Sequence, residues 1–284
     1  MNISSLTGSP QVEGADWQRQ RKITSIPFND LSSNIVWNEA VTQARQVLAY
    51  WTSQRNPITN TVTHVRTLSL HVLSNAGFGK AYSFEKASEP PKPGHVFNYR
   101  DALAHILDDI MMLMIFGPNA LRSKFLPSKI FNIGQAAVDF KAYMRDMYAD
   151  EKRSMETGKK SSANIMSSLI RANEEMNLKQ TGTVLRDQWC TSATIGGLSE
   201  SEIYGNTFVY NFAGHDTTAI TLSWTLYLLA AHPQVQEWLG EEIDEYIKAA
   251  DLSSMRYNEI FPRLKRCLAV MVGDIKMSIR IHLP

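Results

Sequence analysis

The chain has 284 residues, 44% apolar and 20% charged, with a formal net charge of +1. This is ordinary globular composition with length for a sizeable core, which excludes a disordered chain, and the near-neutral charge argues against a nucleic-acid binder. Two cysteines, Cys190 and Cys267, without C-x-x-C pairing make neither a disulfide framework nor a zinc motif, so both are expected as small core residues in a reducing compartment.

The first twenty residues are polar and lack an apolar h-region, so no signal peptide or anchor is expected there. Strand signals are scarce, while apolar residues recur at helical spacing between Pro, Gly and Ser breaks, which predicts a mainly α protein. Helices are predicted over 15–24, 33–55, 62–76 and 99–116, with Glu89-Pro90-Pro91-Lys92-Pro93-Gly94 as a stiff loop before the fourth. Two more follow over 131–155 and 163–175, separated by the polar Gly158-Lys159-Lys160-Ser161-Ser162. The remainder reads as helices over 199–231 and 233–249 and a last one from near Phe261, with no internal repeat.

The helix over 199–231 is the informative one. Ser199 with Glu202 fits an S-x-x-E capping box, and His232-Pro233 stops the helix after roughly 50 Å at 1.5 Å per residue. From Ile203 to Ala231 its only formally charged residue is Asp216, in Ala213-Gly214-His215-Asp216-Thr217-Thr218. A carboxylate in such a place marks a site or a specific hydrogen-bond network. Ala213, Thr217 and Thr221 share one face, with Asp216 and Ile220 beside them. Gly214 weakens the helix by about 1 kcal/mol relative to Ala, which is tolerable if something packs there. The stretch from Phe208 is long enough to cross a bilayer, but Asn211, His215, Asp216, Thr217, Thr218, Thr221 and Ser223 argue against a membrane span.

Several residues have plain readings. Asp216 and Thr217 without context fit a helix polar patch satisfied by neighbours or water equally well. Trp17 and Arg21 fit an amphipathic surface helix. His215 is expected as a filler position, because side chains at i and i+1 do not face the same way and one histidine with one acid is not ligand spacing. His64 and His71 read as packing or surface residues, and Lys152-Arg153 as a solvated helix end. Gly77-Phe78-Gly79 lacks the rest of a phosphate-binding fingerprint.

Ala213-Gly214-His215-Asp216-Thr217-Thr218 resembles the A/G-G-x-D/E-T-T signature of the cytochrome P450 family of haem-thiolate monooxygenases. Downstream, Ala231-His232-Pro233-Gln234-Val235-Gln236 and Glu241-Glu242-Ile243 resemble the family's helix end, HP-x-x-Q turn and following acidic helix. Upstream, Trp17 and Arg21 resemble its W-x-x-x-R helix, and Ala76-Gly77-Phe78-Gly79 its segment ending in Gly-Phe-Gly. The resemblance runs over about 15–271 and implies a single partial domain, the central part of the cytochrome P450 fold with one long central helix, incomplete at both ends. The family's F-x-x-G-x-R-x-C-x-G motif and E-x-x-R helix are absent: neither Cys190 nor Cys267 has the required neighbours, and 272–284 reads as a divergent tail. A truncated product or gene model is therefore expected, lacking the membrane anchor and the axial cysteine.

The resemblance further implies haem b as cofactor and a reaction inserting one oxygen atom from O2 into a small apolar organic substrate. Electrons would come from NADPH through a reductase, which Arg19 and Lys22 would touch. Asp216 and Thr217 would deliver protons, Trp17 and Arg21 would hold a haem propionate, and Ala213 and Gly214 would leave room for oxygen and substrate. Met111, Met112, Met114 and Phe116 would border the substrate pocket in the family, although plain core packing is the preferred reading of this cluster. The complete family protein would sit on the cytosolic face of the endoplasmic reticulum membrane, and this chain, without the anchor, would be cytosolic or degraded. Because the axial thiolate drives O–O cleavage, the chain alone is expected to bind haem weakly or not at all. The alternative is a non-catalytic helical pseudoenzyme or interaction protein, which would be soluble and melt cooperatively.

Overall fold

The computed structural model describes residues 13–84, 90–123, 125–158, 164–184, 197–247 and 256–281, and only the backbone of 178–184 and 274–281. The described residues are helical and contain no strand: α1 Gly14–Thr24, α2 Asp30–Ser53, α3 Thr61–Phe78, α4 Tyr99–Asp108, α5 Ile110–Leu121, α6 Ser128–Glu156, α7 Ile165–Val184, α8 Glu200–Ala231, α9 Pro233–Ile247, α10 Tyr257–Ile260 and α11 Lys265–Ile281. No helix among them is long and apolar enough to cross a membrane.

Local chemistry explains most boundaries. Asn29 caps α2 through the Leu31 and Ser32 N–H groups, and Ser32 returns a bond to the Asn29 N–H, so α2 begins three residues before the position predicted from its apolar pattern. α3 ends on Gly79 in the left-handed region (φ 68°), where a Cβ would be strained. The single helix predicted over 99–116 is two: the backbone turns at Asp109 (φ −121°, ψ 29°), and α5 is broken again at Gly117 (φ 72°, ψ 158°) before Pro118. The divergence carries Met111, Met114 and Phe116 out to the surface, at 69%, 54% and 55% exposure, so they are not core residues; Met112 alone of that group packs on the core.

α8 is the axis of the molecule. Its first half enters the main apolar core, where Ile203 and Phe208 meet α3, α4, α6 and α7. A run of rings ties these elements together: Phe78 and Phe208 stand edge-on to Phe140, at 6.5 and 6.1 Å, and Tyr99 stacks on it at 5.6 Å. α3 lies along α8 and is covered by α2, while α9 and α11 pack near the C-terminal end of α8.

The predicted capping box at the start of α8 is formed, and it does more than cap. Ser199 Oγ accepts from the Glu202 N–H, and the Ser199 N–H donates to Glu202 Oε2 at 2.8 Å. Glu202 Oε1 also receives Arg19 Nη2 at 2.6 Å and Gln20 Nε2 at 3.0 Å, which fastens α1 along the first turns of α8. Burial raises the carboxyl, but the Arg19 and Ser199 donors outweigh it and hold Glu202 at about 2. Glu202→Gln is expected to cost about 2 kcal/mol, from a weakened cap and a lost charge-assisted pair. Chemical denaturation at neutral pH checks it, and an unchanged midpoint would mean that the pair stabilises nothing. The same contact corrects the reading of Arg19: its guanidinium is turned inward to Glu202 and the Gly197 carbonyl, while Lys22 stays exposed.

Candidate functional site

The polar residues of α8 are satisfied mainly within the helix. Thr207, Asn211, Thr217, Ser223 and Thr225 each donate to the carbonyl four residues earlier, and Thr225 Oγ1 also reaches Met271 Sδ at 3.6 Å. For Thr217 the acceptor is the Ala213 carbonyl. A hydroxyl has one donor and two acceptor positions. Thr217 Oγ1 is thus free to accept from the open side, and donates outward only by rotating away from Ala213.

Asp216 is half-buried, and its partner comes from another helix. Arg66 Nη2 on α3 stands 3.3 Å from Asp216 Oδ1, and Arg66 Nη1 is 3.9 Å from Asp108 Oδ1 at the end of α4. Arg66 therefore lies within ion-pair range of two acids from two helices, although Asp216 Oδ1 has no hydrogen-bonding partner among the described residues. A signal for it existed: Arg66 is the only formally charged residue of α3, as Asp216 is the only one from Ile203 to Ala231. His215 is no filler. It is buried at 4% exposure against α3, its backbone carbonyl accepts from Ser69 Oγ at 3.1 Å, and its Nδ1 lies 3.5 Å from Asp216 Oδ1. Burial lowers its pKa, opposed in part by Asp216, so the imidazole is held neutral.

Ala213 and Gly214 face different ways. A Cβ on Gly214 would lie 3.0 Å from Leu73 Cδ2, so this glycine lets α3 approach α8 and does not border the open side. Ala213 is exposed and begins a stripe with Thr217, Ile220, Trp224 and Tyr227, spaced by alternating steps of four and three residues on one face. Ile220, Trp224 and Tyr227 are 48%, 47% and 50% exposed. Such a stripe, on a helix that buries Asn211, His215, Ala219 and Ser223 on another side, is an apolar face of the kind a partner group covers.

Trp17 and Arg21 sit together on the outer face of α1. The guanidinium lies 5.4 Å from the indole centroid, Trp17 is 49% exposed, and Arg21 makes no ion pair among the described residues. Its opposite face is tied to α8 by Glu202, by Asn206 on Gln20 and by the Tyr210 hydroxyl on the Thr24 carbonyl. No hydrogen bond or ion pair joins Trp17 or Arg21 to Asp216 or Thr217 among the described residues.

A family model for cytochrome P450 matches residues 8–268. The chain belongs to the cytochrome P450 family. It is 29% identical to cytochrome P450 monooxygenase 124 of Postia placenta, over 96% of this chain and 49% of that protein. A cytochrome P450 monooxygenase of Arthrobotrys oligospora is 26% identical over 91% of this chain and 45% of its own length. The chain thus spans about half the length of the curated relatives it matches. A zebra fish cytochrome P450 solved with progesterone superposes with a TM-score of 0.66 at 15% identity, over 96% of this chain and 58% of that one, which establishes a shared fold.

The family implies haem, and the residues fit it on one side only. The apolar stripe of α8 suits a flat apolar group, and the Arg21 guanidinium, which makes no ion pair among the described residues, has the chemistry to hold a carboxylate. Among the described residues no cysteine suits the iron side. Cys190 lies outside the described residues, and Cys267 is half-buried at the start of α11, where its N–H donates to Glu242 Oε2. Burial and the Glu242 carboxylate push the Cys267 thiol up, the reverse of what a thiolate ligand needs. Nor is Cys267 the small core residue the sequence suggested.

Proposed function

We propose that this chain forms the oxygen-side half of a haem monooxygenase that inserts one oxygen atom from O2 into a small apolar organic substrate. The observation that carries the reading is the exposed stripe from Ala213 to Tyr227, with Thr217 in its midst and Asp216, in ion-pair range of Arg66, on its border. Haem, when bound, supplies the oxygen chemistry, with electrons from an NADPH-dependent reductase. Thr217 Oγ1 accepts or passes a proton at the stripe, and Asp216, beside Arg66, passes protons in from solvent. Arg21 and Trp17 hold a haem carboxylate, and Ala213 leaves space above the stripe. In the complete family protein this half faces the cytosol at the endoplasmic reticulum membrane.

Because no cysteine of the chain stands in the family's ligand motif, the chain alone binds the porphyrin by its edge and face without a thiolate bond. Titration with iron-free protoporphyrin and with haem, followed by tryptophan fluorescence and visible absorbance, tests both halves of this reading. The expected result is weak quenching of similar affinity for the two, loosened severalfold by Arg21→Ala or Trp224→Ala. A stoichiometric haem complex with a thiolate-type spectrum would overturn the first half, and indifference to both substitutions the second.

A further inference from the structure

Three buried polar atoms without a hydrogen-bonding partner among the described residues lie together where α8 faces α3: Arg66 Nε, His215 Nδ1 and Asp216 Oδ1. Asp216 Oδ1 is 3.3 Å from Arg66 Nη2 and 3.5 Å from His215 Nδ1. The Asp216 side chain is 36% exposed although Oδ1 is buried, so the oxygen left to meet solvent is Oδ2. Buried polar groups are normally paired, and each exception calls for an explanation. A carboxylate oxygen only accepts, whereas a ring nitrogen accepts when bare and donates when it carries a proton. With a bare Nδ1, two lone pairs would face each other beside an imidazole that is 4% exposed. With a proton on Nδ1, one hydrogen bond satisfies both atoms.

The charged groups around the ring come from three helices: Asp216 on α8, Arg66 on α3 and Asp108 at the end of α4. Burial is the largest influence and works against a charged ring. Asp216 and the Arg66 backbone carbonyl favour the charge, the Arg66 guanidinium opposes it and Asp108 favours it, and burial prevails. The ring therefore has a single proton to place, and two acceptors compete for it. The Arg66 carbonyl is already paired within α3, and a hydrogen bond to an ionised acceptor is the stronger, so the proton belongs on the side of Asp216.

We propose that His215 is a positioning residue for Asp216: Nδ1 carries the ring's proton and donates it to Asp216 Oδ1, which Arg66 Nη2 approaches from the other helix. The inner oxygen is thereby held, and Oδ2 is left to exchange protons with solvent. The role in positioning rests on the reading of Asp216 as the acid that passes protons in; the pair itself does not depend on haem.

The test is the tautomer of His215 in the full chain without haem at neutral pH, read from long-range proton–nitrogen correlations of isotope-labelled imidazole rings. The chain has seven histidines, and the signal set lost in His215→Gln or His215→Asn assigns this ring. The expected result is an Nδ1–H tautomer favoured about tenfold or more, the scale of a charge-assisted hydrogen bond, and reversal to Nε2–H in Asp216→Asn, whose amide donates to a bare Nδ1. The Asp216 carboxyl carbon signal should move in His215→Leu and return in His215→Asn, which keeps a donor near the place of Nδ1. An Nε2–H tautomer in the parent, or a tautomer indifferent to Asp216→Asn, would overturn the pair. A carboxyl signal that His215→Asn does not restore would overturn the positioning role. Absence of porphyrin binding alongside the expected tautomer would instead count against the monooxygenase reading alone.

Discussion

Acidification from pH 6.5 to 4 is expected to remove about 3 kcal/mol of stability through His71 alone. His71 is fully buried on α3, where its Nδ1 meets Gln43 Oε1 at 3.0 Å and its Nε2 has no partner among the described residues. Gln43 Nε2 in turn donates to Glu39 Oε1 and to the Tyr82 carbonyl, and Asn75 Nδ2 to Glu39 Oε2. Burial, helped by the charge of Arg100, lowers the imidazole to about 4. Above pH 6.5 both folded and unfolded forms are neutral at this residue. Between 6.5 and 4 the unfolded chain takes up a proton that the folded chain refuses, so stability falls as pH falls, and below 4 the loss levels off. Other groups titrate in the same range, and His215, lowered by its own burial, adds to the loss. The difference between parent and His71→Gln isolates the effect: urea unfolding at pH 7 and pH 4.5 should show a smaller decline in the variant by most of that 3 kcal/mol. Equal declines would mean that His71 is charged in the folded state. Functional consequences follow from position. α3 also carries Arg66 and Leu73, so acid loosening of the α2–α3 layer releases the guanidinium that pairs with Asp216.

Legibility in the sequence divided along physical lines. The long helix was readable at both ends because its cap and its His232-Pro233 stop are local chemistry, and Ser199 is its N-cap as expected. The start of α2 was missed because Asn29 and Ser32 perform the same exchange with less diagnostic residues. The break at Asp109 was missed because no Gly or Pro marks it; α4 and α5 both pack on α6, and their separate packing decides the turn. Asp216 stood out because a lone charge in an apolar helix needs a reason, but Arg66 lies 150 positions away and only the fold brings it near. Arg19 was misplaced for the converse reason. Its spacing along α1 does not tell an inward guanidinium from an outward one, and the acid that turns it inward comes from α8. Trp17 and Arg21 remain outward, where the plain surface-helix reading and the propionate reading coincide.

Asp139→Ala is expected to be the most damaging single truncation considered, at about 3–5 kcal/mol. Asp139 on α6 is 2% exposed and accepts three hydrogen bonds: Oδ2 takes the Val96 and Phe97 N–H groups at 2.9 Å each, and Oδ1 takes Gln135 Nε2 at 2.8 Å. Gln135 Oε1 in turn receives Arg122 Nε at 3.1 Å, so the carboxylate anchors a chain that runs to the end of α5. Truncation would leave two backbone N–H groups without an acceptor in a water-poor place, which costs more than the bonds themselves contribute. Asp139→Asn keeps an acceptor oxygen for the backbone and should cost about half as much. Denaturant unfolding of the two variants checks the order, and an alanine variant no worse than the asparagine one would refute the backbone role. The damage would also be directional. Residues 96 and 97 lead directly into Asn98, which caps α4 through the Asp101 N–H, and into Tyr99, whose ring sits in the aromatic run from Phe78 to Phe208. Loss of Asp139 therefore frees the segment that sets the Tyr99 ring against Phe140, while the contacts of Asp216 with Arg66 and of α1 with Glu202 lie on other elements and should survive.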